Sequence, residues 1–216
     1  QADYLNKVKS AAHSLLGIIN DILDFSKIEA GKLDIENTDF QLENVLDNLS
    51  NIVSQKAHDN NLEFLISAQH DIPPNLMGDP LRLGQILINL VNNALKFTER
   101  GGKVGLTVTA DEDNVTIVVA DTGAGIPPNQ LPHIFDKFFQ ADNQQGAGAK
   151  GTGLGLAIAK EIVEAHGGSM AAESSVGGAA HGTKFSVMLP VSAAPAAPST
   201  SGEHLAAEEG ASADES

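Results

Sequence analysis

Residues 80–98 combine two helix faces with opposite needs. Ile86, Leu87, Leu90, Val91, Ala94 and Leu95 recur at three- and four-residue spacing and mark one face of a helix as buried. Asn89, Asn93 and Lys96 lie four and three apart on the other side, so their side chains share a face. A row of two amides and an ammonium is either a solvated surface or a polar site, and oxyanions with a hard cation would suit the site. Asp79 and Pro80 supply an N-cap and a proline at the first helical position, so the helix starts there and ends near Thr98.

Around this helix the pattern alternates between periods without repeating a βαβ unit. From Tyr4 to about Ala30, Leu5, Val8, Ala12, Leu15, Ile19 and Ile22 form the seam of a helical hairpin or coiled coil, and Gly31 is a natural stop. Leu16, Leu23, Phe25 and Ile28 widen that stripe, so the helix belongs to a bundle and needs a partner segment. Leu33-Asp34-Ile35 reads as a short strand, and Leu42, Val45, Leu46, Leu49, Ile52 and Val53 as one helix face. Leu62 to Ala68 is a strand closed by Ile72-Pro73-Pro74. Lys103 to Ala110 and Val115 to Ala120 form a hairpin around Asp111 to Asn114. Ile134 to Phe139 reads as a short core helix, and Ser169 to Glu173 with Thr183 to Leu189 as a final hairpin. The expected class is α+β, a two-layer α/β sandwich with a mixed sheet covered by helices on one face.

The bulk composition narrows the partners. A net charge of −15 over 216 residues disfavours nucleic acid or an anionic membrane as principal partner. Without cysteine there is neither a disulfide framework nor a thiolate site. No apolar run is long enough to cross a bilayer and no signal peptide is visible. The chain opens at Gln1 rather than a methionine, which suggests a piece of something longer. Residues 192–216 are mainly Ala, Pro, Ser, Gly and Glu, with five acidic residues and no Lys or Arg, the composition of a disordered tail.

Three further stretches carry chemistry. Asp121-Thr122-Gly123-Ala124-Gly125-Ile126 ends a strand; it is either a plain turn or a place where backbone approaches a flat ligand while the carboxylate accepts from an amine. Gln140 to Lys150 has no hydrophobic anchor and should be mobile. It runs into Gly151-Thr152-Gly153-Leu154-Gly155-Leu156, a glycine-rich loop opening a helix that buries Ile158, Ile162 and Val163 and ends at Gly167-Gly168. The G-x-G-x-G spacing and the lack of a preceding strand separate it from a dinucleotide fingerprint, and no Lys-Ser or Lys-Thr closes it as a P-loop.

Taken in order, Asn89-x-x-x-Asn93-Ala94-x-Lys96-Phe97-Thr98, Asp121-x-Gly123-x-Gly125-Ile126, Phe135 to Phe139, Gly151 to Leu156 and Gly182-Thr183-x-Phe185 resemble the asparagine, glycine and phenylalanine boxes of the sensor histidine kinases, hybrid types included. The resemblance covers roughly Tyr4 to Leu189 and implies the Bergerat ATP-binding sandwich shared with gyrase B, Hsp90 and MutL. It implies that Asn93 binds Mg²⁺ on the triphosphate, with Asn89 in support, Lys96 on phosphate and Phe97 near adenine. Asp121 would accept from the adenine amino group, Gly123, Gly125 and Ile126 would shape the base pocket, and Thr183 would lie behind it. Gly151, Thr152, Gly153, Leu154, Gly155 and Leu156 would wrap the phosphates. Asn89 stands where the related ATPases carry a water-activating glutamate, so the γ-phosphoryl is expected to go to a histidine.

That acceptor, followed in the family by an acidic residue and usually Arg-x-Pro, is absent from this chain. None of the seven histidines matches; His13 is on the bundle helix, but Ser10 to Leu33 resembles the second helix of the hairpin, and the acceptor belongs to the first. His166, before Gly167-Gly168, reads as a helix C-terminal residue favoured by the dipole. The implied organisation is 1–31 as part of a dimerisation and phosphotransfer hairpin, 32–191 as the catalytic domain and 192–216 as tail. Implied partners are ATP, a second copy through the bundle and a response regulator or receiver domain, with no nucleic acid and no membrane contact. The implied location is cytoplasmic, free or as part of a membrane-bound sensor. Gln140 replaces a frequent arginine and Lys150 is the one cation of the lid, so phosphate contacts there are few. The competing readings are a conformational ATPase of the gyrase or Hsp90 kind and a nucleotide-binding module that transfers nothing.

Overall fold

The computed structural model describes residues 2–70, 72–73, 75–141, 152–178 and 181–190. Its core is the packing of three helices on one face of a sheet. The helices are α2 (Leu42–Asp59), α3 (Pro80–Phe97) and α4 (Gly155–Ala165), numbered after the N-terminal α1 (Ala2–Glu29). The strands are β1 (Thr38–Gln41), β2 (Glu63–Ala68), β3 (Asn75–Gly78), β4 (Lys103–Ala110), β5 (Asn114–Asp121), β6 (Ser169–Ser175) and β7 (Gly182–Pro190). Five of them form a sheet in the order β2-β4-β5-β7-β6. β2 runs parallel to β4, with Leu65 opposite Gly105, and every other pairing in this sheet is antiparallel. A parallel pair needs a long crossover, and α3 lies within it.

Period-two alternation decides which face the helices cover. Val104, Leu106 and Val108 of β4 and Val115, Ile117 and Val119 of β5 are buried against Leu49 and Val53 of α2, the apolar stripe of α3, and Ile158, Ile162 and Val163 of α4. Each such Leu, Ile or Val contributes roughly 1.5–3 kcal/mol by leaving water. The architecture is therefore the expected two-layer sandwich with a mixed sheet. At the β4–β5 turn, Asp111 accepts from the backbone N–H groups of Asp113 and Asn114 at 2.9 and 2.8 Å, and these donors hold its carboxyl below the ordinary carboxylate range.

Two local expectations are corrected. Leu33-Asp34-Ile35 is not a strand; Leu33 and Ile35 pack half-buried from irregular backbone, and the strand is β1, antiparallel to β3 with Phe40 opposite Leu76. Ladder bonds need a partner edge, and β3 reaches only Thr38–Gln41. Ile134 to Phe139 does not form a core helix. A 3-10 turn, Leu131–His133, leads into turns, and Phe138 sits at φ +63° with its N–H donating to Gly153 at 2.9 Å. That backbone bond draws the segment toward the glycine loop and out of helical geometry. His166 sits at the C-terminus of α4, as expected, where it is the C-cap residue. It is buried, with Nδ1 donating to the Ile162 carbonyl at 2.7 Å and Nε2 accepting from the Asp79 N–H at 3.4 Å, an arrangement the neutral Nδ1–H tautomer provides.

α1 docks on α3 through a buried carboxylate. Asp24 accepts from Arg82 Nη1 at 2.8 Å and from Gln85 Nε2 at 2.6 Å, while the Asp79 cap accepts from the Arg82 backbone N–H at 3.0 Å. Asp24→Ala leaves the Arg82 guanidinium without this carboxylate and is expected to destabilise the chain by about 2 kcal/mol. Hydrogen exchange along α1 should rise with the fall in urea midpoint; exchange that stays at wild-type rates would show that the contact does not hold the helix. Leu15, Leu16, Ile19, Ile22 and Leu23 of α1 remain exposed. The His13 side chain, the stretch 142–151 expected to be mobile, and the tail 192–216 lie outside the described residues. Among the described residues no helix is long and apolar enough to cross a membrane.

Candidate functional site

A cavity of about 460 Å³ opens at one end of the sandwich, where α3, α4 and the segment after β5 meet. α3 presents Asn89, Asn93, Lys96 and Phe97 to it; β5 and its continuation present Asp121, Gly125 and Ile126; the glycine loop presents Thr152, Gly153, Gly155 and Leu156; and β7 presents Thr183. These segments lie far apart in sequence, and the sheet brings them together. Gly123 and Leu154 do not line the cavity. Gly123 instead supplies a backbone N–H to Asp121, and Leu154 is buried in the core. Gly151 and Lys150 lie outside the described residues.

At the enclosed end, one carboxylate oxygen is fixed and the other is left available. Asp121 Oδ1 accepts from the N–H groups of Gly123 at 2.8 Å and Thr183 at 3.2 Å, whereas Oδ2 has no hydrogen-bond partner among the described residues. Burial raises the Asp121 pKa above the ordinary carboxylate value, against the opposing pull of those two donors and of His181. Ser174 Oγ accepts from the Ile126 N–H at 2.8 Å, donates to the Gly182 carbonyl at 2.9 Å and meets Thr183 Oγ1 at 3.0 Å, tying the loop to β7. His181 Nδ1 donates to the Gly123 carbonyl at 2.6 Å. The loop is close-packed. Gly125 has φ +73°, and a Cβ there would fall inside the Ser175 carbonyl.

The open end offers donors and amide oxygens. The N-cap Leu154 of α4 makes no side-chain hydrogen bond, so the first helical N–H groups remain for a ligand. Lys96 stands 5.0 Å from the centroid of the half-exposed Phe97 ring. Asn89 Nδ2 donates to the Gly155 carbonyl at 3.3 Å, and Asn93 has no hydrogen-bond partner among the described residues. No group of three or more His, Cys, Asp or Glu gathers among those residues. A hard divalent cation held here would take an amide oxygen and draw its other ligands from a bound anion and water, which the free Asn93 amide fits.

Other lining residues were not singled out for this role in the sequence. Asn92, Ile134, Phe139 and Phe185 lie in or beside the motifs already noted. Gly17, Ile18 and Asp21 come from α1, and nothing local marks them. Asp21 accepts from the Thr152 hydroxyl at 3.0 Å, which in turn accepts from the Leu154 N–H at 3.2 Å. Burial raises the Asp21 pKa, with the Thr152 bond opposing and Asp24 adding to the rise. α1 thus forms one wall of the cavity and holds the glycine loop through Thr152.

A family model described as histidine kinase-, DNA gyrase B- and HSP90-like ATPase matches residues 78–193, more than half the chain. The sensor histidine kinase GacS of Pseudomonas protegens is 44% identical over 193 residues, which are 88% of this chain and 21% of GacS. This chain therefore spans about a fifth of the length of that curated relative. Full-length ShkA in complex with AMPPNP superposes with a TM-score of 0.74 at 31% identity, covering 91% of this chain and 40% of that one. The histidine kinase ThkA, solved with the response regulator TrrA, gives 0.66 at 25% identity, covering 88% and 51%.

Proposed function

This chain belongs to the family of histidine kinase-, DNA gyrase B- and HSP90-like ATPases, and we propose that it binds ATP with Mg²⁺ as the catalytic part of a sensor histidine kinase. The observation that carries this reading is the polarity of the cavity. One end holds a buried carboxylate with a single open oxygen, and the other holds Lys96, free amides and an uncapped helix N-terminus. Adenine offers an exocyclic amine to Asp121 Oδ2, whereas guanine has a carbonyl there. Ile126 and Phe97 flank the base, Gly123 and Thr183 orient the carboxylate, and Lys96 with the N–H groups of Gly155 and Leu156 receives phosphate. Phosphate contact is also assigned to Gly151, Thr152, Gly153 and Leu154. Asn93 would hold Mg²⁺, which neutralises phosphate charge when bound.

Asn89 sets the direction of transfer. Its amide has no basic oxygen to take a proton from water, and its nitrogen is engaged by Gly155. In the reaction proposed, an imidazole nitrogen of a histidine elsewhere bonds to the γ-phosphorus as the bond to the bridging oxygen breaks, and ADP leaves. Residues 1–31 act as one helix of the dimerisation hairpin, whose exposed stripe receives the rest of the bundle, 32–191 as the catalytic domain, and 192–216 as a linker or tail. The partner of the phosphorylated protein is a response regulator, the kind of protein with which ThkA was solved.

Titration with ATP and ADP, with and without Mg²⁺, tests the reading. Wild type should bind both, and Asn93→Ala is expected to lose about tenfold in ATP affinity with Mg²⁺ and little without it. Equal losses in both conditions would remove Asn93 from the cation. Incubated alone with labelled ATP, the chain should gain no acid-labile phosphate. Steady hydrolysis that disappears in Asn93→Ala would favour a conformational ATPase instead.

A further inference from the structure

Three asparagines, Asn89, Asn92 and Asn93, line the open end of the cavity, and their hydrogen bonds sort them by polarity. The Gly155 carbonyl can only accept, so the atom of Asn89 that meets it is the nitrogen, and its oxygen is left over. Asn92 is the reverse. Its oxygen meets Lys56 Nζ at 2.7 Å, and an ammonium can only donate, so the Asn92 oxygen is occupied and its two N–H donors have no partner among the described residues. A cation needs the oxygen that Asn89 leaves; a phosphate needs the N–H groups that Asn92 leaves.

Resting on the ATP reading above, we propose that Lys56 and Asn92 form an additional phosphate-binding arm, in which Lys56 fixes the Asn92 amide as a donor and adds its own charge. Lys56 meets the cavity-lining Asn92 from α2, 36 positions earlier in the chain, without lining the cavity itself, and belongs to none of the sequence motifs. Its surroundings are those of a cation awaiting an anion. Neither Lys56 nor Lys96 has a carboxylate partner among the described residues, although the chain carries a net charge of −15. Asp59, near Lys56 on α2, accepts instead from Gln55 at 2.7 Å. Burial lowers the Lys56 pKa and the charge of Lys96 lowers it further, so two cations are held together without protein neutralisation. A polyphosphate beside Lys96 would supply the missing charge, and it would offset the scarcity of cations in the glycine loop.

The test is a titration of wild type, Lys56→Gln, Lys56→Arg and Asn92→Ala with ATP, ADP and adenosine in the presence of Mg²⁺. Lys56→Gln and Asn92→Ala should each weaken ATP binding about three- to tenfold, as expected for charge-assisted contacts partly screened by water. ADP should lose less, adenosine nothing, and Lys56→Arg should stay near wild type. Raising the salt should shrink the difference between wild type and Lys56→Gln. An unchanged ATP affinity in Lys56→Gln overturns the arm while leaving the ATP site standing. An equal loss for adenosine also overturns it, because the change would then be structural. A wild-type chain that binds none of the three compounds overturns the ATP reading and the arm together.

Discussion

Asp121→Asn is expected to weaken ATP binding by about a hundredfold or more while leaving the fold at least as stable at pH 7. The asparagine oxygen can still accept from the Gly123 and Thr183 N–H groups, which turns its nitrogen toward the cavity in place of Oδ2. Two donors, the amide and the adenine amine, would then face each other. Stability should move the other way. Burial raises the pKa of Asp121 in the folded chain, so the group favours folding while protonated, and that contribution is lost as pH rises through the folded value. The ionised carboxylate is therefore a burden to the folded chain that asparagine removes. The stability difference between the two proteins should narrow as pH falls into the carboxylate range. Calorimetric titration with ATP and thermal unfolding across pH would measure both effects, and near-wild-type ATP affinity in Asp121→Asn would refute the role given to this carboxylate.

Gly125→Ala should produce the largest loss of stability. The position has φ +73°, which for alanine costs about 1–2 kcal/mol, and the added Cβ collides with the Ser175 carbonyl of β6, a backbone atom that cannot rotate away. A total near 3 kcal/mol lowers the melting temperature by roughly 6–12 °C for a chain of this size. Gly101→Ala isolates the conformational part, because Gly101 has φ +84° but nothing within 4 Å of its Cβ position. Its melting temperature should fall by only about a third as much. Equal falls in the two variants would show that the loop yields around Ser175 and that close packing there is not what shapes the pocket.

How much of this was visible beforehand depended on how local each cause is. The apolar stripe of α3, its Asp79-Pro80 start and the alternation of β4 and β5 each place their own residues, because helix and strand periods are written within ten or so positions. β1 and β3 were misplaced or missed because four-residue strands exist only through each other. The Phe138 backbone left helical space because Gly153 offers it a carbonyl from across the fold. His166 gave no local sign that both ring nitrogens would be used.

The sequence by itself determined the sandwich, the polar face of α3, the carboxylate and glycines after β5 and the glycine entry to α4, since each follows from side-chain type and spacing along one segment. Only the tertiary structure decided that α1 walls the cavity through Gly17, Ile18 and Asp21, that Asp121 keeps one oxygen open, and that Lys56 takes the oxygen of Asn92. Those are matters of which donor meets which acceptor across the fold. A hydrogen bond has a direction and a length of about 3 Å, and neither is encoded until the two partners have been packed into place.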